Sequence, residues 1–93
     1  MVEAAIRQFG RIDVLVNNAG MIQVSPLGHL DVDDFNAALD IHVRAPLYTM
    51  LAALPHLRRS GGARIVNISS IGGQISVPHL LPYSTSKFAL VGL

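Results

Sequence analysis

The chain has 93 residues, 51% of them hydrophobic and 14% charged, and a net charge of +1 at neutral pH. A chain of this length is at most one small domain, and so small a charge gives no electrostatic reason to expect nucleic acid or an acidic membrane surface as partner. Cysteine is absent, which excludes disulfides and thiolate metal sites.

The four histidines, His29, His42, His56 and His79, lack the spacing of a metal-ligand set. No apolar run approaches the ~20 residues needed to cross a bilayer, and the first ten residues lack the apolar core of a signal peptide. A cytoplasmic protein is the expectation. The apolar excess suits a segment from inside a larger α/β fold, where both faces of a parallel sheet are covered.

In chain order, residues 2–9 read as the end of an amphipathic helix, with Val2, Ala5, Ile6 and Phe9 on one side and Gly10 as its stop. Val14-Leu15-Val16 is a continuous apolar run, as in a strand buried on both faces. Asn17-Asn18-Ala19-Gly20 closes it. These small residues let a ligand approach the backbone, and the carboxamides can bridge unpaired backbone groups at the strand end. An ordinary turn has the same composition.

Residues 21–30 form a loop. Asp31 is a good helix N-cap, with Asp33 and Asp34 in the first turn and Leu30 and Phe35 at the positions of a hydrophobic staple. Phe35, Leu39, Val43, Leu47 and Leu51 then recur every fourth residue, so the pattern predicts one helix of about 27 residues, long for a globular protein. Such a length suits a crossover that continues into a subunit interface. Pro46 lies inside it and has no N–H for the carbonyl of His42. Residues 63–69 are the second strand, rich in β-branched side chains, and strand–helix–strand makes one right-handed βαβ unit.

Tyr83-Ser84-Thr85-Ser86-Lys87 concentrates the chemistry. Pro82 suits a first helical turn, which places Tyr83 and Lys87 one turn apart on one face. A phenol has a reference pKa of roughly 10, and an ammonium beside it favours the phenolate. A phenol so tuned can exchange a proton with an alcohol or carbonyl, an effect of roughly 10²–10⁴ in rate. Ser70, at the carboxyl end of the second strand, would hold the same oxygen. Ligands of open α/β sheets sit at that end. The plain alternative for Tyr-x-x-x-Lys alone is a helix face with a solvated lysine.

Three ordered motifs carry a family resemblance: Val14-Leu15-Val16-Asn17-Asn18-Ala19-Gly20, Ile65-Val66-Asn67-Ile68-Ser69-Ser70, and Tyr83-Ser84-Thr85-Ser86-Lys87-Phe88. Together they strongly resemble the short-chain dehydrogenase/reductase family, over essentially the whole chain but only the middle of a family member. The resemblance implies an α/β fold: a partial Rossmann-like, doubly wound parallel sheet, built from the βαβ unit and flanking helices. Residues 1–93 would be a single incomplete domain.

It implies an oxidoreductase that interconverts an alcohol and a ketone or aldehyde with NAD or NADP. Tyr83 would be the general acid/base, Lys87 its modifier and ribose anchor, and Ser70 the oxygen holder. Asn17, Asn18, Ala19 and Gly20 would tie the sheet together and line the cofactor cleft. Residues 74–81 would form part of the substrate pocket, with Val77, His79 and Leu80 as walls. A small alcohol or carbonyl substrate and a homo-oligomer, dimer or tetramer, are the implied partners.

His42 departs from the family, which usually carries asparagine there to help hold a water in a proton relay to the lysine. The carbonyl of His42 could hold that water, and its imidazole could carry protons. A kinked helix with a packed histidine fits equally well.

The chain also lacks the T-G-x-x-x-G-x-G turn that cradles the pyrophosphate. Alone, its sheet edges would be exposed, and the isolated chain is expected to fold poorly or self-associate and to be inactive. Two further readings stand beside the enzyme. One is a non-catalytic fragment or helix-mediated dimerisation module. The other is a nucleotide-sugar epimerase or dehydratase relative, against which Asn17-Asn18-Ala19-Gly20 argues.

Overall fold

The computed structural model describes residues 1–93. Helix α1 (Val2–Phe9) ends at Gly10, whose left-handed φ of 77° suits glycine and whose N–H closes onto the Ile6 carbonyl. Strand β1 (Val14–Asn17) pairs in parallel with β2 (Arg64–Asn67), in a register that sets Leu15 beside Ile65 and Asn17 beside Asn67. Between them run a short 3₁₀ turn (Leu27–His29), α2 (Val32–Leu39), a π turn (Asp40–Arg44) and α3 (Ala45–Arg59). After β2, a 3₁₀ turn (Ile71–Gly73) leads into α4 (Leu81–Val91). This is the expected βαβ unit, two strands of a parallel sheet with flanking helices.

Local signals explain most of the boundaries. The Asp31 carboxylate accepts the Asp33 N–H at 2.8 Å and caps α2. Gly61, at φ 81°, turns the chain out of α3. The single long helix is corrected in one respect: a π turn divides it. Pro46 cannot donate to the His42 carbonyl, and the Ala45 N–H reaches back five residues to the Asp40 carbonyl. The extra residue is accommodated immediately before the proline, where the α-helical ladder is already broken. The second strand is also shorter than residues 63–69, although the Ile68 N–H still bonds the Asn17 carbonyl at 2.9 Å.

Leu15, Ala53 and Leu57 form a small apolar core, with Val2, Ile12, Met50 and Ala63 packed against it, so α1 and α3 cover one face of the sheet. On β1, Val14 and Val16 remain 55% and 54% exposed. The apolar run expected to be buried on both faces is therefore covered on one. The radius of gyration is 15.4 Å, against about 12 Å for a compact chain of this length. The excess reflects a sheet open on one face and at both edges. No helix is long and apolar enough to cross a membrane.

Candidate active site

The site is built around α4, whose start is fixed from two directions. Pro82 occupies its first turn, where the missing N–H costs nothing. Just before it, Leu80 forms a parallel bridge with Ser25, and the Ser25 N–H donates to the His79 carbonyl at 2.8 Å. The loop after β1 thus holds the entry to α4.

Lys87 lies one turn beyond Tyr83, with Nζ 5.8 Å from the centre of the phenol ring. It is 4% exposed, and Nζ donates to the Ile68 carbonyl at 2.9 Å, at the carboxyl end of β2. A solvated helix face is excluded by that burial. An ammonium has three donors, and this bond uses one.

Ser70 is extended and caps the 3₁₀ turn; its Oγ accepts the Gly72 N–H at 3.2 Å. The hydroxyl proton is left free to donate. The turn sits directly on the tyrosine: a Cβ at Gly72 would lie 3.0 Å from Tyr83 Cε1. At Gly73 a Cβ would overlap Ser69 Oγ and stand 2.8 Å from the Lys87 carbonyl. Ser69 Oγ itself donates to that carbonyl at 3.2 Å. Two adjacent glycines therefore let the Ser70 turn and the Tyr83–Lys87 face meet.

Asn17 donates through Nδ2 to Asn67 Oδ1 at 2.9 Å, and its Oδ1 accepts from the Thr49 hydroxyl at 2.7 Å. The carboxamide bridges side chains of β2 and α3 at the strand end, not the unpaired backbone groups anticipated from sequence. Asn17, Asn18 and Ala19 line a cleft of about 200 Å³ with Ile41, Pro46 and Thr49. Gly20 lies against the other part of the site, where a Cβ would be 2.9 Å from His42 Nε2 and 3.6 Å from Lys87 Nζ.

His42 is fully buried, and both of its ring nitrogens are engaged. Nε2 accepts the Met21 N–H at 3.1 Å, and Nδ1 lies 2.7 Å from Ser86 Oγ. Its ring stands edge-on to Tyr83, with centres 5.6 Å apart. Burial first, and then the charge of Lys87, push its pKa below the ordinary histidine value.

Val77 and His79 line a cavity of about 360 Å³ together with Ser25, Leu27, Leu81 and Thr85. None of Ser70, Tyr83 and Lys87 lines that cavity, nor does Leu80, whose backbone bridges Ser25. The structure thus gathers Ser70, Tyr83, Lys87, His42 and Gly20 at one strand end and leaves the anticipated pocket walls beside it. Sequence reasoning passed over Ser86, Thr49, Asn67 and Ser69. Asn67, Ser69 and Ser86 lie inside the motifs that carry the family resemblance, which is the signal that could have found them; Thr49 carries none.

The chain matches the family model described as short chain dehydrogenase over residues 1–93. It is 37% identical over 93 residues to an "Uncharacterized oxidoreductase" of Thermotoga maritima, covering 100% of this chain and 37% of that protein. It is 45% identical over 93 residues to the "Agropine synthesis reductase" of Rhizobium rhizogenes, covering 99% of this chain and 22% of that one. A crystal structure of a short-chain dehydrogenase from Streptomyces avermitilis superposes with a TM-score of 0.89 at 38% identity, over 96% of this chain and 33% of the other. The chain therefore spans well under half the length of these relatives. With the βαβ core, the strand-end asparagines and the Tyr83–Lys87 face all in place, the chain belongs to the short-chain dehydrogenase family.

Proposed function

We propose that these residues are the central part of an NAD- or NADP-dependent oxidoreductase that interconverts a small alcohol and its ketone or aldehyde. The observation that carries this reading is the buried Lys87 ammonium beside the Tyr83 ring, with the Ser70 turn packed on the same phenol. Within it, residues 1–93 are one incomplete dinucleotide-binding domain, and the whole protein works as a homo-oligomer.

The residues present fit the nicotinamide-ribose end of the cofactor. Gly20 lets the loop after β1 lie directly against His42 and close to Lys87 Nζ, and two donors of that ammonium remain available for ribose hydroxyls. Asn18 and Ala19 border the same strand end. When bound, the nicotinamide accepts or gives the hydride.

The protein's own residues handle the proton and the oxygen. In the oxidative direction the Tyr83 oxygen takes the alcohol proton as its carbon gives up the hydride; in the reductive direction it returns the proton. The Lys87 cation favours the transition state in which negative charge builds on that phenol oxygen. Ser70 donates its free hydroxyl proton to the substrate oxygen and holds it in register with Tyr83.

The test uses a protein of the relatives' length that contains this chain, hereafter the full-length protein. NADH and NADPH are titrated in by fluorescence, followed by turnover of a panel of ketones and alcohols. Binding of one cofactor and turnover that Tyr83→Phe abolishes are the expected results. Cofactor binding with no turnover of any carbonyl or alcohol would refute the reading.

A further inference from the structure

We propose that His42 is a positioning residue, a neutral imidazole protonated on Nδ1 that clamps the loop after β1 to the helix carrying Tyr83. This rests on Tyr83 and Lys87 as the working pair and adds how they are held.

The proton positions follow from the partners. A backbone N–H can only donate, so Met21 makes Nε2 an acceptor at 3.1 Å. A backbone carbonyl can only accept, so the Ser86 hydroxyl gives its single proton to the Tyr83 carbonyl at 2.9 Å. Ser86 Oγ is then the acceptor in its 2.7 Å contact with Nδ1, which must carry the ring proton. The chain Met21 N–H, His42, Ser86, Tyr83 C=O has one consistent direction. It binds the segment next to Gly20 to the first turn of α4, over a sequence separation that no local structure spans.

Protonation would break the clamp. A second N–H on Nε2 would face the Met21 N–H, donor against donor. Water cannot relieve the clash, because the side chain has no exposure. The surroundings offer no counter-charge. From α4 the ring faces Tyr83 and Lys87. The segment from Val14 to Val24 carries no titratable side chain. On the π turn itself, Asp40 and Arg44 pair with each other at the surface, and on α2 Asp33 and Asp34 are exposed.

Burial and then Lys87 lower the folded-state pKa below the ordinary histidine value of about 6.5. The clamp's contribution is therefore complete above pH 6.5 and is lost as pH falls below it through the depressed value. The exchange of a histidine for the family's asparagine thus brings a second anchor, Ser86, together with a sensitivity to acid.

The test has two arms, both in the full-length protein. In the first, nitrogen-15 NMR of the labelled imidazole reads tautomer and titration. The expected result is a neutral Nδ1–H ring at pH 7 that stays neutral as pH falls through 6.5. An Nε2–H tautomer, or titration at the ordinary histidine pKa, would overturn the proposal.

In the second arm, His42→Ala lowers kcat about 10- to 100-fold, the cost of misplacing reacting groups by roughly 1 Å or less. His42→Asn, which keeps an acceptor for Met21 but cannot ionise, recovers about tenfold of that loss and removes the acid limb of the rate profile that His42 sets. An asparagine variant as slow as the alanine at every pH would mean the imidazole moves protons, and would overturn the clamp. If Tyr83→Phe stays fully active while the NMR signature holds, the proposed chemistry fails and the clamp stands.

Discussion

Around α4 a run of polar groups is buried, His42, Ser84, Ser86 and Lys87, with Ser25 at the helix entry, beside apolar Pro82 and Leu90. Around α1 and β1 the buried groups are apolar and few: Leu15, Ala53 and Leu57. The α4 region closes on itself through directed bonds, so its geometry is fixed within this chain. The α1 region leaves an apolar cavity of about 480 Å³ under Val2, Phe9, Ile12 and Val14, and one sheet face uncovered. That cavity is thus remote from Tyr83 and Lys87 and marks open packing. The contrast teaches that the Tyr83–Lys87 constellation is closed by bonds made within this chain, whereas the sheet that supports it is not closed.

The largest effect should come from separating the two regions from the rest of the fold. The isolated 93 residues should self-associate through the open sheet face and edge, while the full-length protein stays folded. A sharp, reversible thermal transition in a monomeric sample of the isolated chain would break the comparison. Next, in the full-length protein, Tyr83→Phe should lower turnover by at least 10²–10⁴ with little change in stability. A large loss of stability on removing that hydroxyl would mean Tyr83 is packing and not chemistry.

Smaller effects weigh the two kinds of packing against each other. Gly73→Ala forces a Cβ into Ser69 Oγ and the Lys87 carbonyl. It should cost about 1–3 kcal/mol, as overpacking does, and should lower kcat as well if the proposed chemistry holds, because the carbonyl belongs to Lys87. Leu57→Ala on the apolar side should cost about 2–3 kcal/mol by denaturant unfolding and leave kcat alone. If Leu57→Ala lowered kcat and Gly73→Ala did not, the two regions would have exchanged roles.

The same contrast decides what could be read in advance. The βαβ unit, the Gly10 stop, the Asp31 cap and the face shared by Tyr83 and Lys87 rest on contacts within a turn or on hydrophobic period, and those survive in sequence. The π turn did not, although Pro46 announced a break. Where the ladder reforms depends on the Ala45 N–H finding the Asp40 carbonyl. The Asn17–Asn67 and His42–Ser86 bonds join residues 50 and 44 apart, and no spacing rule reaches that far. The exposure of Val14 and Val16 was hidden for the opposite reason: their apolar run describes a covered sheet, and this chain carries too little of the fold to cover it.

The finest test lies within α4, where two buried serines stand two residues apart with different surroundings. Ser86 Oγ accepts from His42 and donates to the Tyr83 carbonyl. Ser84 Oγ is buried with no partner. Removing a hydroxyl whose partners stay behind leaves the His42 Nδ1–H without an acceptor, so Ser86→Ala should cost about 1–3 kcal/mol. Removing one that has no partner relieves a desolvation penalty, so Ser84→Ala should be neutral or should stabilise by up to about 1 kcal/mol. Equal costs at the two positions in urea unfolding would show that the hydroxyls act only as volume. The directed chain from Met21 to Tyr83 would then have no energetic standing.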